Sequence, residues 1–174
     1  SMQVIGDGLA AGLALQPDPP ALHHTQPAPA SAPWPGEGRA ILLVDTGRNG
    51  GYASGNNVGI ALALQRPDVD FLWILNNDTI VPGPETLDAL IARMAEDDRI
   101  GICGATVAYA ERPDVVQTRG GGAFDPWKGR CSLIGKDADR SAPVDRAAVE
   151  ARLAYVNGAA ALVRRAFVED VGMM

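Results

Sequence analysis

Five apolar residues, Phe71-Leu72-Trp73-Ile74-Leu75, run without a break into two amides, a carboxylate and a hydroxyl, Asn76-Asn77-Asp78-Thr79. A continuous apolar run of that length predicts a strand buried on both faces, the condition of a strand in a parallel sheet. In open α/β sheets, ligands bind just past the carboxyl ends of such strands. Asp78 is thereby placed where a hard cation and a phosphate can meet, because oxygen ligands suit Mg²⁺ or Mn²⁺. The same residues also read as a plain turn capping a following helix. The motif alone leaves both readings open.

The rest of the chain is punctuated in the same way. Val4 to Leu15 reads as a short helix, despite Gly6, Gly8 and Gly12. Residues 16–38 are rich in Pro and Ala and read as a loop or linker, with His23 and His24 as solvated loop residues. Ala40 to Val44 is a second buried strand, ending at Asp45. A Gly- and Asn-rich loop follows, then a helix capped by Ser54 and running to about Gln65. Pro82-Gly83-Pro84 is a turn, with Pro84 suited to the first position of a helix that presents Leu87, Leu90, Ile91 and Met94 on one apolar face. Strands are expected at Ile100–Tyr109, Val115–Thr118 and Leu153–Val163, the last interrupted at Asn157-Gly158. Arg119–Gly129 is Gly-rich and reads as a loop over a site, Arg140–Glu150 as weakly structured, and Arg165–Val171 as a closing helix. Strands alternating with helices predict an α/β domain with a mostly parallel sheet flanked by helices.

A chain of 174 residues is long enough for one domain with a core, and its net charge of −6 argues against broad nucleic-acid binding. No apolar stretch reaches the length of a membrane span. The N-terminus has no basic region leading an apolar core, so no secretory signal is read, and Ser1 before Met2 reads as the remnant of a cleaved tag. Cys103 and Cys131 have neither metal-ligand spacing nor a disulfide framework, which suits a reducing compartment.

Three segments, in order, resemble signatures of the family 2 glycosyltransferases, in particular the rhamnosyltransferase-like branch. Arg48-Asn49-Gly50-Gly51-Tyr52-Ala53-Ser54-Gly55-Asn56-Asn57-Val58-Gly59-Ile60 is similar to that family's N-x-G-[FY]-A-x-G-N-N-x-G-I segment. Leu75-Asn76-Asn77-Asp78-Thr79, followed by Pro82, is similar to its L-N-[PN]-D-T version of the D-x-D motif. Asn157-Gly158-Ala159-Ala160, then Leu162-Val163-Arg164-Arg165 and Phe167, resembles its later G-A-x-x-L-[VI]-R-R-x-x-F segment. The resemblance spans about Ile41 to Gly172.

It implies a GT-A (Rossmann-like) fold, a nucleotide-diphosphate sugar donor, a divalent metal (Mg²⁺ or Mn²⁺), and inverting transfer of the sugar to an acceptor hydroxyl on a glycan or lipid-linked molecule. It makes Asp78 the metal ligand, with Asn76 where the first carboxylate of D-x-D would stand. Asn49, Gly55, Asn56, Asn57, Asn76, Asn77 and Asp78 become donor-binding candidates, since a helix starting near Gly55 would offer free N–H groups to phosphate or sugar oxygens. The alternative is that these glycines and asparagines only turn and cap. Asp45 is a candidate nucleoside contact or an ordinary turn carboxylate. Asn157, Gly158 and Ala159 border the sugar or acceptor, or Gly158 marks a bulge. Trp127 is a stacking platform for an acceptor or a buried loop anchor.

Such family members also carry V-V-x-x-Y-N and V-D-N-x-S-x-D-G strands before, and acidic D/E segments after, the part matched here. The sequence thus reads as the middle of such a domain, incomplete at both ends, with the general base expected beyond Met174. The expectations that follow are weak or absent transfer by this chain alone, self-association through an exposed sheet edge, and a cytoplasmic location, either free or peripheral at the inner face of the membrane. Two other classes compete. Gly6, Gly8 and Ala11 match the G-x-G-x-x-[GA] dinucleotide fingerprint of an NAD or FAD module, but too few residues precede Gly6 and no acidic residue follows at the expected distance. A non-catalytic interaction fragment is the third reading.

Overall fold

The computed structural model describes residues 42–174 with their side chains and residues 2–5, 21–25 and 40–41 by their backbone. The elements follow as β1 (Met2–Ile5), β2 (Ala21–Thr25), β3 (Ala40–Val44), α1 (Gly51–Ala63), β4 (Phe71–Leu75), β5 (Thr79–Ile80), α2 (Glu85–Ala95) and β6 (Ile102–Gly104). They continue as β7 (Thr106–Tyr109), β8 (Arg112–Arg119), β9 (Gly121–Asp125), β10 (Arg130–Leu133), α3 (Arg146–Glu150), β11 (Tyr155–Val156), β12 (Ala160–Arg164) and α4 (Arg165–Val171).

The mostly parallel, GT-A-like sheet expected from the sequence is not formed. The described strands make four small sheets, ordered β5-β1-β7-β8, β10-β9-β11, β4-β12-β6 and β2-β3. Six pairings are antiparallel, and only β1–β5 and β2–β3 run parallel. The expectation failed for a physical reason that β4 makes plain. Its two faces are indeed covered. Phe71 and Trp73 pack on a cluster with Leu90 and Met94 of α2 and Ala160 and Leu162 of β12. Leu72 and Ile74 face the other way, onto Ile60 of α1, Val163 and Val168 of α4. Yet β12 lies beside β4 antiparallel, pairing Leu162 with Trp73. Burial on two faces reports helices on both sides and says nothing about strand direction. Met94 and Leu162 are 0% and 1% exposed, and burying a side chain of this size stabilises by about 1.5–3 kcal/mol.

Several local expectations also change. Val4 and Ile5 belong to β1 rather than to a helix, while the remainder of 4–15, including Gly6, Gly8 and Ala11, lies outside the described residues. His23 and His24 lie in β2, inside the Pro-rich 16–38 stretch. Ile100–Tyr109 is not one strand. It breaks at Ala105, whose N–H donates to Ala160 (3.1 Å) and whose carbonyl accepts from Gly120 (3.2 Å), so the chain leaves one sheet for another there. Ile91 is exposed, and Thr86 takes its place on the buried face of α2 with Leu90 and Met94. Arg146–Glu150 is helical, capped by Asp145, whose side chain accepts from Ala148 N–H at 3.1 Å.

The Gly-rich 119–129 stretch is not a loop throughout: Arg119 ends β8, Gly121–Asp125 forms β9, and only 126–129 turn. Its glycines serve close approach. A Cβ on Gly121 would run into the Tyr155 carbonyl of β11, one on Gly122 into the Tyr155 ring, and one on Gly104 into the Gly120 carbonyl. Sheets meeting this tightly need residues without side chains.

Candidate functional site

The three signature segments meet. Antiparallel pairing of β4 with β12 brings the end of the apolar run against Ala159 and Ala160, with Ala160 opposite Leu75. Just beyond, Asn76 N–H donates to the Ala159 carbonyl at 3.0 Å, and the Thr79 hydroxyl donates to the same oxygen at 3.3 Å. Thr79 N–H donates to the Asn76 carbonyl at 3.1 Å, closing Asn76–Thr79 into a turn. The Asn157 side chain accepts from Ala159 N–H at 2.9 Å, and the Asn157 N–H donates to Gly120 at 3.0 Å. From the first segment, Tyr52 donates its hydroxyl to the Gly158 carbonyl at 2.6 Å across 106 residues. A Cβ on Gly158 would come within 2.8 Å of that hydroxyl, so glycine is what lets Tyr52 in. Burial pushes the Tyr52 phenol up from its ordinary pKa, which keeps it a neutral donor.

Within this cluster the candidate residues play unequal parts. The helix begins at Gly51, not after Ser54, so it starts four residues before Gly55. Asn49 accepts from Gly51 N–H at 3.0 Å, acting as the turn-maker at that end. Gly55 is inside the helix with open space where a Cβ would stand. Asn56 donates to the Tyr52 carbonyl at 2.9 Å. Asn57 grips the backbone of Met174, donating to its carbonyl at 2.6 Å and accepting from its N–H at 3.0 Å. Asn56 and Asn57 thus have structural partners already. Asp45 accepts from Gly47 N–H at 2.7 Å, the ordinary arrangement of a turn carboxylate. Trp127, at the tip of the β9–β10 hairpin, is 96% exposed, which overturns the reading of a buried anchor.

Asn77 and Asp78 are exposed, and among the described residues Asp78 makes no hydrogen bond or ion pair. No group of three His, Cys, Asp or Glu side chains able to hold a metal occurs among the described residues. The donor set in the turn is therefore one carboxylate with neighbouring amide and hydroxyl oxygens. That is too little to hold a cation alone. It fits the way Mg²⁺ is commonly held, by one or two carboxylates together with substrate phosphates and waters.

Arg164 and Arg165 of the third segment, which the sequence marked only as part of a motif, have a clear mechanical role. Arg164 donates to the carbonyl of Met94 (2.6 Å) at the end of α2 and to that of Ile100 (3.0 Å), just before β6. Arg165 donates to the Leu64 carbonyl at 2.8 Å and to that of Arg66, at the end of α1. Successive arginines leave β12 toward the helices on its two faces and satisfy carbonyls that a helix end leaves unpaired.

No helix among the described residues is long and apolar enough to cross a membrane. No protein-family model, curated protein or solved structure matches the chain, so the functional reading rests on these residues and their geometry.

Proposed function

We propose that the chain serves as the donor-handling part of an inverting sugar transferase of the family 2 type, acting on a nucleotide-diphosphate sugar. The observation that carries this reading is the convergence of three separated signature segments on Gly158-Ala159, through the Tyr52, Asn76 and Thr79 hydrogen bonds. Turn-making alone would not require segments so far apart to share one pair of carbonyls.

In this reading the Asn76–Thr79 turn, pinned to Ala159, presents Asp78 beside the diphosphate. A divalent cation, Mg²⁺ or Mn²⁺, arriving with the diphosphate would neutralise the charge that gathers on it as the sugar leaves. The N-terminus of α1 has amides at Tyr52 and Ala53 without acceptors inside the helix, suited to phosphate or sugar oxygens. The space at Gly158 is taken by the Tyr52 hydroxyl and Ala159 is buried, so the two hold the turn rather than the sugar, while exposed Trp127 offers a face to a glycan or lipid-linked acceptor. Net charge −6 supports a reading without nucleic acid. The two free cysteines favour a reducing, cytoplasmic setting.

Calorimetric titration with UDP-, dTDP- and GDP-sugars, in Mg²⁺ or Mn²⁺ and again in EDTA, tests this. One donor class should bind in the presence of metal. Both EDTA and Asp78→Asn should weaken that binding by about tenfold or more, the loss expected when a charge on a bridging cation is removed. Binding of none of the donors, or equal binding by Asp78→Asn, would sink the proposal.

A further inference from the structure

Between β6, β8 and α3 lies a cavity of about 440 Å³ that includes none of the donor-site candidates. Its volume falls in the range of small-molecule sites, roughly 300–1,000 Å³. Ile102, Val149, Leu153 and Val156 supply apolar wall, while Arg93, Arg119, Arg146 and Glu150 supply charge.

Two of the three guanidinium groups are already matched. Arg93 donates Nε and Nη2 to the two oxygens of Glu150, each at 2.9 Å. That hydrogen bonding holds the Glu150 carboxyl below its ordinary pKa, so it remains an anion committed to Arg93. Arg146 donates to Glu96 at 2.9 Å.

Arg119 is different. The residue is only 8% exposed. Its Nη2 reaches the main-chain carbonyls of Asp139 (3.1 Å) and Ala142 (3.5 Å), and no carboxylate among the described residues lies within ion-pair distance. The side chain is also held in place. Gly135, at φ 72°, would put a Cβ within 2.9 Å of Arg119 Cγ and Cδ, so the absence of that carbon is what seats the stem. A buried charge without a counter-charge is strongly unfavourable. Only its Nη2 is met by carbonyls, its other guanidinium nitrogens are not among the buried polar atoms left without a partner, and the cavity it lines is large enough to admit an anion.

We propose that this cavity binds an organic anion, with its apolar body against Ile102, Val149, Leu153 and Val156 and its carboxylate or phosphate head on Arg119. The inference does not rest on sugar transfer, and its test uses neither nucleotide nor metal.

The intact chain is titrated calorimetrically with octanoate, octyl phosphate and, as the uncharged control, octanol. At least one anion should bind about tenfold more tightly than octanol, and Arg119→Gln should remove that advantage while Arg119→Lys keeps part of it. Preference between the two anions assigns the head group. Because Arg119→Gln also loses the loop carbonyls, a second measurement leaves Arg119 in place. Cys103 lines the cavity and burial pushes its thiol up, so its alkylation by iodoacetamide is followed at mildly alkaline pH with Cys131→Ser as background. The binding anion should slow that alkylation severalfold, and octanol should not. Equal binding of octanol and both anions overturns the proposal. So does failure of both anions to bind, or of the binding anion to protect Cys103, at millimolar concentration.

Discussion

Tyr52 shows how one hydrogen bond ties distant parts of the sequence together. Its hydroxyl, donated to the Gly158 carbonyl, links the start of α1 to the turn before β12. Tyr52→Phe deletes the donor and little else. Tyr52 is half exposed, so water can replace the lost partner, and the expected loss is about 0.5–1 kcal/mol in a urea unfolding midpoint. No change would mean that the bond contributes nothing to joining the segments. The pH dependence has a definite sign. With the phenol's folded pKa raised by burial, the contribution is complete below the ordinary tyrosine pKa and is lost as pH rises through the higher folded value. At this scale the residue types in the signatures were legible from sequence, but several partners were not. Nothing in the order of residues says that Asn57 holds Met174, or that Arg164 and Arg165 close the ends of two different helices.

Glycine separates what an element allows from what its neighbours demand. Gly55 and Gly121 both sit in Gly-rich stretches and look alike in sequence. Inside α1, Gly55 has nothing within 4 Å of where a Cβ would stand. Gly55→Ala should therefore stabilise the fold by about 0.5–1 kcal/mol, the ordinary helical preference of alanine. In β9, Gly121 faces the Tyr155 carbonyl and the Val156 Cα (2.9 Å), backbone that cannot swing away. Gly121→Ala should destabilise by about 2 kcal/mol or more, as overpacking does. Thermal unfolding of both variants checks the pair, and the same sign for both would refute this account of β9. Helices were the more readable elements. The Pro82-Gly83-Pro84 turn, the acidic first turn of α2 and its spaced apolar residues all announced a helix. Strands were less readable because their ends are set by partners. Ile100–Tyr109 is apolar enough to continue, and only its two sets of neighbours divide it at Ala105.

For the molecule as a whole, the consequence of the antiparallel core is where its edges fall. β12 is central, leaving β4 and β6 as edges of that sheet among the described residues. An edge strand presents unpaired backbone groups that invite another chain. Leu75, at the end of β4, adds an apolar side chain 37% exposed. Self-association through β4 is therefore expected, and size-exclusion chromatography with light scattering should show a mass that rises with concentration. Leu75→Lys places a charge on that edge and should return the chain to monomer. A wild-type chain that stays monomeric across the concentration range would dispose of the idea.

Composition and local order alone settled where the apolar runs lie, which helix begins after Pro82-Gly83-Pro84, and where the Asn- and Gly-rich segments interrupt them. Those are local properties, set by side-chain chemistry and backbone restriction within a few residues. Strand direction, the passage from one sheet to another at Ala105, the meeting of Tyr52 with Gly158 and the lone buried guanidinium of Arg119 were decided only in three dimensions. Each depends on which backbone groups find partners far along the chain, and pairing at a distance leaves no periodic trace in the sequence of either partner.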